Sequence, residues 1–88
     1  MELLINILQN EFVLSASSNT TVNSAVVVRI VHTGTQEHLI TIGNGAGSNI
    51  GTFTVINNSE LILEKHRTDT LQVDSGTDVR VVSIAYKN

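Results

Sequence analysis

The chain has no cysteine, no proline and no tryptophan, and only two phenylalanines and one tyrosine among its 88 residues. Without cysteine, disulfide frameworks and thiolate metal sites are excluded. Without proline, no strand candidate is confined to a sheet edge on that ground. Sugar-binding sites lean on aromatic platforms, and the chain offers only Phe12, Phe53 and Tyr86 for one. Phe53 alternates with Val55 and reads as core, so Tyr86 is the one plausible contact residue of that kind.

Charge is scarce as well. Charged residues make up 15% of the chain, against roughly 25% in an ordinary soluble domain. The basic residues Arg29, Lys65, Arg67, Arg80 and Lys87 are scattered, and the net charge is −3. Phosphate neutralisation gives nucleic-acid-binding proteins their affinity, so no direct nucleic-acid partner is expected. Long hydrophobic runs are also missing. Met1-Glu2-Leu3-Leu4-Ile5-Asn6-Ile7-Leu8 is apolar but short and interrupted, with no basic leader or small-residue cleavage site. Neither a signal peptide nor a membrane span is expected, and synthesis in a cytoplasm is.

What is present is β-branched. Val, Ile and Thr supply 30 of the 88 residues, and their side chains favour the pleated surface of a strand. Apolar runs alternate with turn-forming clusters at the spacing of a sandwich or barrel. Candidate strands are Leu3–Leu8, Glu11–Ser15, Ala25–Thr33, His38–Gly43, Gly51–Ile56, Leu61–Lys65, Thr70–Val73 and Val79–Tyr86. Gly, Asn, Asp and Ser fill the separators, where they promote turn geometry. The expected fold is all-β, a small antiparallel β-sandwich of jelly-roll or Greek-key type, with residues 1–88 as one domain. Residues 1–10 are expected to form a contact arm or an edge strand, although Leu3, Leu4, Ile7 and Leu8 also suit one face of a short helix.

The clearest local unit reads as a hairpin closed by Gly34-Thr35-Gln36, in which His32 faces His38. That register puts Val26, Val28, Ile30, Ile40 and Ile42 on a core-facing side. The other side carries Val27, Arg29, Val31, Leu39 and Thr41, a mixed set where a solvent face would be polar. The last strand is two-sided too, with Val79 and Val81 opposite Val82, Ile84 and Tyr86. A domain this small buries only about 60–65% of its unfolded surface, so a neighbouring subunit is the simplest cover for a second apolar face.

Catalytic parts are lacking. His32 and His38 as cross-strand neighbours are close enough to share an ion, but two ligands do not make a zinc site and His66 lies on another hairpin. A structural role for the histidines is the better reading. Glu60 and Glu64 are too far apart on a strand to act as a pair. Asp69, Asp74 and Asp78 sit in loops, where Asp commonly closes a turn. Asp74-Ser75-Gly76-Thr77-Asp78 lacks the spacing and terminal Glu of a calcium-binding helix–loop–helix, and reads as a plain turn. Asn44-Gly45-Ala46-Gly47-Ser48 precedes a strand and has no nearby Lys, so it is a flexible connection and not a phosphate loop. Neither Ser75 nor Ser83 has a His-Asp pattern beside it. No catalytic residue, metal site or cofactor is expected, and the protein is not expected to be an enzyme.

Gly51-Thr52-Phe53-Thr54-Val55, Glu60-Leu61-Ile62-Leu63-Glu64-Lys65, Thr68-Asp69-Thr70-Leu71 and the Val79–Tyr86 strand together resemble small virion proteins of tailed bacteriophages, especially those of marine hosts. Val28-Arg29-Ile30-Val31 and the Thr33-Gly34-Thr35 turn fit the same pattern, so the resemblance covers roughly residues 25–88. It implies a structural role without catalytic residues, as a capsid decoration (cement) protein that binds the outer capsid surface and stabilises the shell. It also implies that Asp69 caps the corner flanked by Thr68 and Thr70. The expected partners are the major capsid protein or other virion proteins and further copies of the chain, as a trimer or dimer, and the expected location is the virion. The expected contact residues are Leu3, Leu4, Ile5, Ile7, Val27, Arg29, Val31, Leu39 and Tyr86. A neck, tail or fibre-associated subunit and a receptor- or glycan-binding β module are the alternatives.

Overall fold

The computed structural model describes residues 4–87, and the side chains of residues 6–85 among them. Eight strands follow one another: β1 Leu4–Ile7, β2 Phe12–Val13, β3 Val27–His32, β4 His38–Gly43, β5 Asn49–Val55, β6 Ser59–Glu64, β7 Thr70–Val73 and β8 Val79–Lys87. Each falls where β-branched alternation expects one, and β4 and β7 coincide with their expected bounds end to end. The described residues contain no helix.

Every strand pairing is antiparallel. One sheet has the order β1-β8-β3-β6, with β2 also paired to β8; the other has the order β5-β4-β7. β1 and β2 lie end to end along β8, Leu4–Ile7 opposite Lys87–Ile84 and Phe12–Val13 opposite Val81–Arg80. The segment β3 to β6 starts in the first sheet, passes through two strands of the second and returns beside its start, a Greek-key path over both layers. The fold is a small β-sandwich.

The interior follows from strand parity. β3 turns Val28, Ile30 and His32 inward, β8 turns Val79 and Val81, β4 turns His38 and Ile40, and β7 turns Leu71 and Val73. Leu14, Val22, Ala25 and Val55 complete this core, and Phe12, Ile42, Phe53 and Leu63 pack against it. Phe53 is therefore a core residue, as its alternation suggests.

The expected hairpin does not form. β3 lies between β6 and β8, β4 lies between β5 and β7, and residues 33–37 arch from one sheet to the other. Alternation cannot separate these outcomes, because a short connection can turn within a sheet or cross the roughly 10 Å to a facing one. His32 and His38 still meet, since both point inward; their ring centroids are 5.0 Å apart. Val28, Ile30 and Ile40 are buried as expected, Ile42 is half-buried, and Val26, just before β3, is exposed.

The two-sided strands have a cause within the chain. On the outer side of the first sheet Val27, Val82 and Ile84 form a second buried cluster with Ile62 packed against it. Val82 and Ile84 are only 1% and 3% exposed. These residues need no neighbouring subunit to leave water.

Two local features fix the layers. Val22, Asn23 and Ser24 are consecutive left-handed residues, with φ of 55°, 57° and 56°. A β-branched residue rarely adopts this conformation, and Val22 is held there with its side chain fully buried. The second feature is Lys65, which is buried at the end of β6. Its Nζ donates to the carbonyls of Ala25 (2.7 Å), Asp69 (2.9 Å) and His66 (3.2 Å), tying the entry of β3 to the corner before β7. Asp69 caps that corner by accepting from the His66 N–H at 3.1 Å. Burial pushes the Lys65 ammonium below its ordinary pKa, and the nearby Asp69 charge opposes the shift. Lys65→Met keeps the stem and removes the ammonium donor from the Ala25 and Asp69 carbonyls, while the His66 carbonyl keeps the Asp69 N–H, so it is expected to cost about 2–3 kcal/mol. Urea unfolding checks this, and a loss under 0.5 kcal/mol would remove the latch role.

Candidate functional site

The residues expected to form one contact surface are distributed over two sides of the sandwich. Val27, Arg29 and Val31 occupy the outer side of the first sheet, while Leu39 is on the outer side of the second. Val27 is buried and Val31 half-buried. Arg29 is held by its own chain, 2.5 Å from the Glu60 carboxylate and 3.4 Å from that of Glu11. Leu3 lies outside the described residues. Leu4 and Ile5 stand opposite Lys87 and Tyr86 in the β1–β8 ladder; the side chains of Leu4, Ile5 and Tyr86 are outside the described set. Ile7 is well exposed.

Charge distribution separates the two sheets. No Asp, Glu, Lys or Arg occurs between Glu37 and Glu60, a stretch that includes all of β4 and β5. The outer side of the second sheet consequently presents Leu39, Thr41, Thr52, Thr54 and Gln72 without a single charge. β5 forms one edge of this sheet and pairs only with β4 among the described residues. Most of its seven residues are exposed. Ile50 near its start and Ile56 just past its end are about 60% exposed (59% and 60%). Ile50 also borders a groove with Val26, Ile42 and Lys65. Sheet edges are ordinarily blunted by charge, proline or bulges, because unpaired N–H and C=O groups are a template for another chain. Here only a register shift between Ile42 and Gly43 disturbs the β4–β5 pairing.

A polar cluster closes the sandwich where the 33–37 arch meets the 74–78 turn. His38 enters from the first residue of β4 and His32 from the last of β3. Asp74 accepts from His38 Nδ1–H at 2.9 Å. Asp78 Oδ2 stands 3.6 Å from His38 Nε2, which is buried without a hydrogen-bond partner. His32 Nε2–H donates to the Gln36 carbonyl and Nδ1 accepts from the Gly34 N–H at 3.1 Å. Two glycines make the space. A Cβ on Gly34 would fall 1.8 Å from Asp78 Oδ2, and one on Gly76, where φ is +82°, would fall 3.2 Å from the His38 ring.

Partial burial works to raise the pKa of Asp74, but hydrogen bonds from His38, Leu39 and Ser75 outweigh it and hold the carboxyl below its ordinary 3.8. A carboxyl whose folded pKa is depressed binds its proton more readily in the unfolded chain. Its stabilisation is therefore present above 3.8 and is lost as pH falls through the folded value. In EDTA-treated protein, Asp74→Asn is expected to flatten this acid limb of the stability–pH curve; an unchanged limb would exclude Asp74 as its source.

Asp74 and Asp78 are the residues that sequence reading leaves as plain turn residues. No local signal marks them, since their partner His38 is on a different sheet strand distant in sequence. The hydroxyl- and amide-rich cleft on the second sheet, lined by Thr41, Asn49, Thr70 and Gln72, contains no aromatic ring. No described helix is long and apolar enough to cross a membrane. No protein-family model, curated protein or solved structure matches the chain.

Proposed function

We propose that this protein is a non-enzymatic structural subunit that joins protein surfaces, and that it serves in a virion as a capsid decoration protein. The observation that carries the assembly role is the uncharged second sheet with its open β5 edge. Hydroxyls and amides leave water at modest cost when a partner supplies hydrogen bonds, whereas a buried charge costs far more to desolvate and needs an opposite charge. Two copies placed edge to edge through β5 would make one continuous six-stranded sheet, related by a two-fold axis. The broad Thr-rich side beside that edge remains free to lie on a capsid surface. The virion setting rests on the resemblance of residues 25–88 to phage virion proteins.

Sedimentation velocity over a micromolar concentration series tests self-association. A dimer is the expected result, and a monomer throughout would remove this route of assembly. Quantifying the protein in purified virus particles tests the setting. A copy number comparable to that of the shell subunit supports decoration, a handful per particle moves it to the neck or tail, and absence from particles ends the virion reading.

A further inference from the structure

We propose that the arch between β3 and β4 is a transition-metal site, with His32, His38 and Asp78 as ligands and Zn²⁺ as the best-matched ion. Each residue offers one ligand atom, and the three atoms lie within 4.8 Å of one another. His38 is 5% exposed and its Nε2 is aimed into the cluster with no partner. A buried, unpaired ring nitrogen is costly unless something accepts or receives its electron pair.

Both rings are already oriented as metal-binding histidines are. Such a histidine usually gives its second N–H to a carboxylate or backbone carbonyl, which fixes the tautomer and leaves the other nitrogen with its lone pair. His38 Nδ1–H goes to the Asp74 carboxylate and His32 Nε2–H to the Gln36 carbonyl. His38 Nε2 and His32 Nδ1 are left as the donors. The ion replaces the Gly34 N–H as the partner of His32 Nδ1. Tetrahedral zinc with N and O ligands at about 2.0–2.2 Å separates them by about 3.3–3.5 Å. The 3.6 Å between His38 Nε2 and Asp78 Oδ2 is close to that span.

Chemistry and space agree. Two imidazoles and a carboxylate suit a borderline ion such as zinc better than calcium or magnesium, which take oxygen ligands. Asp78 in the shell and Asp74 behind it balance a divalent charge. Gly34 and Gly76 place no side chain in the cluster, where a Cβ on either would crowd Asp78 or His38. Asp78 is the least buried of the three ligands, so the ion enters past it and a water completes the shell there. Because both histidines are nearly enclosed and come from strands of different sheets, the ion pins one sheet to the other. The site goes beyond the assembly role, which does not depend on it.

The test uses the untagged full-length protein, stripped with EDTA and titrated with Zn²⁺ by calorimetry, and with Co²⁺ as a visible-absorption probe. One equivalent of Zn²⁺ is expected to bind, to raise the melting temperature and to shift the His38 Nε2 signal in ¹⁵N NMR. Asp74→Asn is expected to weaken binding by about 10–100-fold by removing the orienting carboxylate. Asp78→Asn and His38→Gln should abolish stoichiometric binding, while His66→Gln, at an exposed histidine, should leave it intact. Should His38→Gln fail to fold, Asp78→Asn decides the matter, since that side chain is one-third exposed (33%). Failure of the folded wild-type protein to bind one equivalent would overturn the site. So would wild-type affinity in Asp78→Asn, or loss of binding in His66→Gln.

Discussion

Ile50→Lys is expected to render the protein monomeric while leaving the isolated domain as stable as before. Ile50 is 59% exposed, and surface substitutions of that kind usually change stability by no more than about 0.5 kcal/mol. In an edge-to-edge dimer its fate is different. Antiparallel pairing of two β5 strands brings the two Ile50 side chains to the margins of the same interface, and a lysine there must give up water for the edges to close. The groove that Ile50 borders carries Glu64 and Asp69 as well as Lys65, so the effect comes from desolvating the new ammonium and not from repulsion within the groove. Natural sheets use edge lysines in this manner to prevent association. The expected weakening is at least about tenfold in the dimer constant, or more than about 1.4 kcal/mol. Sedimentation velocity and concentration-dependent hydrogen exchange of the β5 amides report it together. If the variant dimerises as the parent does, β5 is not the joining edge.

Ile30→Ala is expected to have the largest effect on folding. Ile30 is 1% exposed in the middle of β3, opposite Leu61 of β6 and Val81 of β8. Truncation removes three carbons from the main core and leaves a cavity that two fixed ladders cannot close. Such substitutions cost about 2–5 kcal/mol, against a total of roughly 4–13 kcal/mol for a chain of this size. A loss near 3 kcal/mol corresponds to a fall of about 12–24 °C in melting temperature. Thermal unfolding followed by circular dichroism measures it; a fall of less than about 4 °C would mean that this core repacks freely. Val26→Ala, a few residues earlier but 53% exposed, should change little. Val26 shares the parity of Ile30 but lies just before β3, so the contrast tests where the strand enters the core.

The surface left for assembly differs between sequence and structure. Apolar residues on both sides of the strands suggest surface that a partner must hide. In the fold, Val27, Val82 and Ile84 are hidden by the chain itself. What the second sheet offers a partner is a strand edge and an uncharged, hydroxyl-rich side. Neither registers as a hydrophobic excess in the sequence, although the stretch from Glu37 to Glu60 without charge is plainly written in it.

The existence and placement of eight strands were determined by the sequence alone, because β-branched alternation and turn residues act over a few neighbours. The same local physics places Asp69 at its corner and Phe53 in the core. Sheet membership was decided only in three dimensions. Residues 33–37 carry turn chemistry equally suited to a hairpin and an arch, and the choice fell to which strands could pair on either side of β3 and β4. The left-handed turn at Val22–Ser24 and the meeting of His32, His38, Asp74 and Asp78 belong to that second level. Each depends on packing between segments remote in the chain, where spacing conveys no distance.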